Sequence, residues 1–148
     1  MKIKFETELP INVKMIEEKY NATYVGDFCV KTHSGVYDTQ EAAIFWQETP
    51  PVEGYSNYFA IVIRNGQPFI TDGYGAVENS IVGAIANDGE IIYSRHRWDC
   101  RHSKDGSIFI DGGRDYVRTN ARNFCTLEVI GPDIFVFENG VQKEHDEN

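Results

Sequence analysis

Asn65-Gly66 lies between FAIVIR and QPFIT, two runs rich in apolar and β-branched residues. A type I′ turn needs positive φ at both central positions, and Asn-Gly meets that need at the smallest steric cost, so the pair fixes a hairpin over residues 57–64 and 67–71. Further turn signals, Asn87-Asp88-Gly89, Lys104-Asp105-Gly106 and Gly131-Pro132-Asp133, leave runs between them that suit strands better than helices. Residues 2–8, 23–31, 42–47, 124–130 and 134–138 read as strands, and residues 76–86 as either a strand or a helical turn. Residues 48–56 and 72–75 read as loops. Only residues 12–20 carry a helix pattern, with Asn12 as cap and Val13, Ile16 and Tyr20 on one face. The expected fold is mainly β (α+β), an antiparallel meander forming a barrel- or sandwich-like core with one short N-terminal helix.

A chain of 148 residues suits a single globular domain over 1–148, with 141–148 expected to be a frayed tail. The net charge of −9 is uneven: residues 95–122 carry +3 and the remainder −12. Such a body repels duplex nucleic acid. A local arginine cluster can still hold a small anion, because physiological salt confines repulsion to about 8 Å. Cys29, Cys100 and Cys125 form no CxxC and no zinc spacing, and they read as reduced thiols of a cytoplasmic protein. No apolar run is long enough for a membrane span.

The functional signal concentrates in residues 90–120, EIIYSRHRWDCRHSKDGSIFIDGGRDYVRTN. Strict alternation from Ile91 to His102 puts Ile92, His96, Trp98 and Cys100 on a core face and Tyr93, Arg95, Arg97, Asp99 and Arg101 on a polar one. A three-residue loop over Lys104-Asp105-Gly106 would pair Ser103 with Ser107 and oppose Asp99 to Asp111. Continued alternation beyond Asp111 would bury Arg114 and Arg118, so a β-bulge is expected at Gly112-Gly113 to return them to the polar face.

The expected ligand-binding set is Arg95, Arg97, Arg101, Arg114, Arg118, Tyr93 and Tyr116. Guanidinium groups fork onto phosphate oxygens and aromatic rings offer stacking faces, a mixture suited to a nucleotide or another small anion. The competing reading is a solvated face whose arginines pair with Asp99, Asp111 and Asp115.

An enzyme reading takes Asp99 and Asp111 as a proton-sharing pair with His96 or His102 as acid or base. No HExxH, GxSxG or phosphate-binding loop occurs, so no catalytic residue, metal or cofactor is assigned. An interaction reading docks the acidic surface of Glu6, Glu8, Glu17, Glu18, Asp38, Glu41, Glu48 and Glu53, or the Thr49–Tyr55 loop, on a partner protein.

The segments FAIVIRNGQPFITDG and IIYSRHRWDCR with IFIDGGRDYVR resemble small accessory proteins of T4-like tailed bacteriophages, over most of the chain. That family is defined by sequence and has no settled catalytic motif, so the resemblance assigns no residue a role. It implies a setting in the host cytoplasm and a non-catalytic use, either inactivating a host protein or sequestering a nucleotide signal of host defence.

Overall fold

The chain opens with strand β1 (Lys2–Ile3) and helix α1 (Val13–Tyr20), and β2 (Thr23–Lys31), β3 (Thr39–Trp46), β4 (Tyr58–Arg64) and β5 (Gln67–Thr71) follow. Then come β6 (Ser80–Ile85), β7 (Ile91–Ile92), β8 (Arg101–His102), β9 (Phe109–Asp111), β10 (Arg118–Thr119), β11 (Asn123–Ile130), β12 (Asp133–Glu138) and β13 (Val141–Gln142). The computed structural model describes residues 1–31, 39–50, 56–71, 80–113 and 115–143. The expectations for residues 51–55, 72–79 and 144–148, for Arg114 and for Asp38 fall outside these.

All pairings are antiparallel, so the mainly β expectation with one helix holds. One sheet runs β2-β3-β4-β5 and a second runs β1-β12-β11-β6-β7, with β13 also on β12. Their facing sides share one core of Val25, Phe28, Ile44, Val62, Leu127, Ile134 and Val136. On the outer side of the first sheet α1 packs Ile16 against Tyr24, Phe45 and Ile61. Asn12 caps this helix by accepting from Met15 N (3.1 Å). Asn65 (φ 51°) and Gly66 (φ 76°) form the hairpin turn that their sequence demands.

A register shift between Tyr24 and Gly26 interrupts β2. It brings Val25, Phe28 and Val30 to the inter-sheet core while Tyr24 joins the helix side. Asp27 is thereby turned toward the N-terminal segment. The opening strand is shorter than residues 2–8 because Thr7 and Glu8 leave the sheet to bind Asp27.

Other expectations need correction. The 141–148 end is not frayed at its start, since Val141 and Gln142 pair with β12 and Lys143 O accepts from the Met1 amine. Within the small sheet β8-β9-β10, Arg101 opposes Ile110 and His102 opposes Phe109, and Ser103 N donates to Ile108 O (3.0 Å). The loop is therefore four residues long, one more than expected, and Asp99 is not opposite Asp111, which pairs instead with Arg118. Gly112-Gly113 is not a β-bulge: β9 ends at Asp111, and both glycines (φ 113° and 58°) begin the loop to β10.

Cys29 and Cys125 are buried and Cys100 is exposed, and none of the three is in a disulfide. Burial pushes the Cys125 thiol up to about 11. A thiol reagent should therefore modify Cys100 rapidly in the native protein and reach Cys29 and Cys125 only on unfolding. Fewer than three thiols in denatured, unreduced protein would contradict this.

Candidate functional site

Between β7 and β8 the chain abandons the strand that alternation predicts. The Ser94 hydroxyl lies 2.6 Å from Asp99 O and 2.9 Å from His96 O, and it accepts from Gly113 N (2.9 Å). The Asp99 carboxylate accepts from Arg95 N (2.8 Å), and Asp99 N donates to His96 O (3.0 Å). Short polar side chains have captured the backbone locally, which is why residues 94–100 form a loop. Gly113 makes the seat for it, since a Cβ there would lie 2.5 Å from His96 C.

This loop carries the side chains of residues 93 to 98 to places that alternation does not foresee. Tyr93 is buried in the inter-sheet core with its hydroxyl donating to Asp27 O (2.9 Å). Trp98, expected in the core, is 75% exposed. Arg95, expected on a wet face, is only 7% exposed. Its guanidinium carbon sits 4.7 Å from the Tyr93 ring centre and 6.0 Å from that of Phe5. No carboxylate among the described residues pairs with it, and its Nε is buried without a hydrogen-bond partner. A buried guanidinium is normally paired, so this one stands out among the described residues.

Arg95 lines a cleft of about 400 Å³ whose other walls are Phe5, Glu8, Glu90, Ile91, Ile92, Tyr93, Arg101, His102 and Lys104. Arg101 is committed there: both terminal nitrogens bind Glu8 and its Nε binds Asp99 (2.8 Å). That pairing holds the Glu8 carboxyl below the usual carboxylate value. The Glu90 carboxylate accepts from Lys104 N (2.9 Å). Tyr93 is a platform for Arg95 and offers no open face to a ligand.

Of the expected ligand-binding residues, Arg95, Arg101 and Tyr93 meet at this cleft. Arg97 and Tyr116 do not. They form a separate ledge, with the Arg97 guanidinium 5.0 Å from the Trp98 ring and 5.9 Å from that of Tyr116, and with Asp115 at 3.9 Å. Arg118 is exposed, pairs with Asp111 (3.1 Å) and lies over Phe109. The four described arginines of the expected face are thus divided. Asp99 and Asp111 each serve their own arginine, and His96 lies 3.6 Å from Glu41, so the proton-sharing pair of the enzyme reading has no geometry here. Among the described residues no group of three or more His, Cys, Asp and Glu side chains is placed to hold a metal ion. None of their helices is long and apolar enough to cross a membrane.

Asp27, absent from the expected sites, and Glu41, expected only on an acidic docking surface, are both drawn inward beside the cleft. Asp27 is fully buried and accepts from Tyr24 Oη, Thr7 Oγ1 and Glu8 N, each at 2.8 Å. Burial and then Asp27 push the Tyr24 hydroxyl far above its usual value, so it stays a donor. Glu41 has one oxygen buried without a partner, and burial, followed by Asp27, raises its pKa above 4.5. Its protonated form is favoured by folding, so this group's stability contribution is complete below the unfolded value and is lost as pH rises through the folded one. Glu41→Gln should therefore gain stability relative to wild type on going from acid to neutral pH. Urea melts of both proteins across that range check it, and a difference independent of pH would refute it.

A second cavity, an apolar groove of about 420 Å³ between α1 and β5, is lined by Ile11, Met15, Ile16, Phe69 and Ile70. Lys19 is its one charged side chain, and it lies away from the arginine cleft. Comparison with protein-family models, curated proteins and solved structures returned no significant match to this chain.

Proposed function

We propose that this chain is a non-catalytic binding protein that captures a small, nucleotide-like anion in the cleft around Arg95. Arg95 carries the reading: a buried arginine with an unpartnered Nε and no ion pair costs folding free energy unless an anion meets it, and it opens onto a cleft of mixed apolar and charged walls. The resemblance to phage accessory proteins supports reading the capture as counter-defence in the host cytoplasm, a nucleotide signal being held and not converted. A nucleotide panel screened by thermal shift, followed by calorimetric titration of the tightest ligand, tests it. Arg95→Ala should weaken that ligand about tenfold or more, the worth of a charge-assisted hydrogen bond. Arg95→Lys should recover little of this where two forked hydrogen bonds are made. Ligand recovered after denaturation should be chemically unchanged, whereas a product would favour a phosphoester-processing enzyme. Unchanged affinity in both variants would move the site elsewhere.

A second reading, docking on a host protein, rests on Trp98. A tryptophan 75% exposed, covered on one side by an Arg97 guanidinium that also lies over the exposed Tyr116 ring, has the composition of an interface hot spot. Trp98→Ala should then abolish capture of a host protein and leave nucleotide affinity unchanged.

A further inference from the structure

Resting on the anion-capture reading, we infer that the Arg95 cleft takes a singly charged oxyanion, a carboxylate or a phosphodiester, in preference to a dianionic phosphomonoester. The charges around the cleft decide this. Arg95, Arg101 and Lys104 contribute three cations, and Glu8, Glu90 and Asp99 contribute three anions. Arg101 is already shared between Glu8 and Asp99, and the Lys104 side chain is exposed, where solvent screens it. Of the two guanidinium groups only that of Arg95 makes no ion pair among the described residues, and the cleft as a whole carries no net positive charge. The Arg95 guanidinium can balance one negative charge, and its two terminal nitrogens, which unlike Nε are not among the buried atoms without a partner, can fork onto two equivalent oxygens. The second charge and third oxygen of a phosphomonoester would have no free guanidinium, and Glu8 and Glu90 would repel them. Those same carboxylates can accept hydrogen bonds from N–H or O–H groups on the body of a ligand. The apolar walls, Phe5 and Ile91, suit a ring.

The test uses three probes that share a phenyl group: benzoate, methyl phenyl phosphate and phenyl phosphate, titrated well above the second phosphate pKa of about 6. In the wild-type chain benzoate or methyl phenyl phosphate should bind at least roughly fivefold tighter than phenyl phosphate, the advantage of avoiding a second uncompensated charge. The tighter of the two identifies the oxyanion. Binding should be lost in Arg95→Ala and in Arg95→Lys, and Glu90→Gln should narrow the preference by removing a repulsive charge while keeping an acceptor for Lys104 N. Phenyl phosphate binding equally or more tightly, still dependent on Arg95, would overturn the inference and leave anion capture standing. Absence of Arg95-dependent binding for all three probes would defeat the capture reading itself.

Discussion

Replacing Asp27 by alanine should cost roughly 3–5 kcal/mol of stability, because three donors that now meet its carboxylate would lose their acceptor at once. Against a total stability of about 5–15 kcal/mol that is enough to leave part of the population unfolded near physiological temperature. The effect should also reach the cleft. Asp27 fixes Thr7 and Glu8, Glu8 holds Arg101, and Phe5 of the same segment lies over Arg95. Ligand affinity should therefore fall in Asp27→Ala even where the chain remains folded. Asp27→Asn keeps the volume and one acceptor oxygen but presents an NH2 group to donors, so an intermediate loss is expected. Urea denaturation of the three proteins measures this. An alanine variant within about 1 kcal/mol of wild type would mean that the N-terminal segment finds other partners and that Asp27 is no hub.

Asp27 had a signal in the sequence, in the company it keeps. TYVGDFCVK does not alternate between apolar and polar residues, as a half-exposed strand would, and a strand covered on both faces must partner any charge it contains. What could not be read there is the partner, because Thr7 and Glu8 come from a segment whose departure from β1 no local pattern announces. The elements read correctly are those whose cause is local: Asn65-Gly66 needs its positive φ, Asn12 caps the helix behind it, and the strands flanking Gly131 alternate toward one core. Residues 94–100 failed for the opposite reason. Their alternation pits charged side chains against polar and aromatic ones without a buried apolar row to enforce it, so a hydrogen bond donated by Ser94 to nearby backbone and one accepted by the Asp99 carboxylate from Arg95 N prevailed. Arg95 and Trp98 exchanged surroundings as a result. The glycines at 112 and 113 did signal an unusual backbone, but the need they meet is the close approach of Gly113 to the His96 backbone, a tertiary contact.

Arg95→Met should make the unliganded protein more stable while removing its affinity for anions. In the fold Arg95 is buried with its guanidinium over the Tyr93 ring, its Nε has no hydrogen-bond partner, and no carboxylate among the described residues makes an ion pair with it. A methionine of similar length would keep the contact with the Tyr93 ring and add a favourable sulfur–aromatic contact. The hydrogen bond from residue 95 to Asp99 survives, because the backbone nitrogen donates it. Replacing buried charged groups by well-packed apolar ones has stabilised proteins by about 1–4 kcal/mol, and a gain within that range is expected here. For a chain of this size each kcal/mol raises Tm by about 2–4 °C. Saturating wild type with its ligand should close the gap, since a ligand at about 100 times Kd adds roughly 2.7 kcal/mol to the protein that binds it and nothing to the variant. Differential scanning calorimetry with and without ligand supplies all four values. A variant less stable than unliganded wild type would show that Arg95 already has its partner inside the protein, and the cleft would then lose its claim to be an anion site.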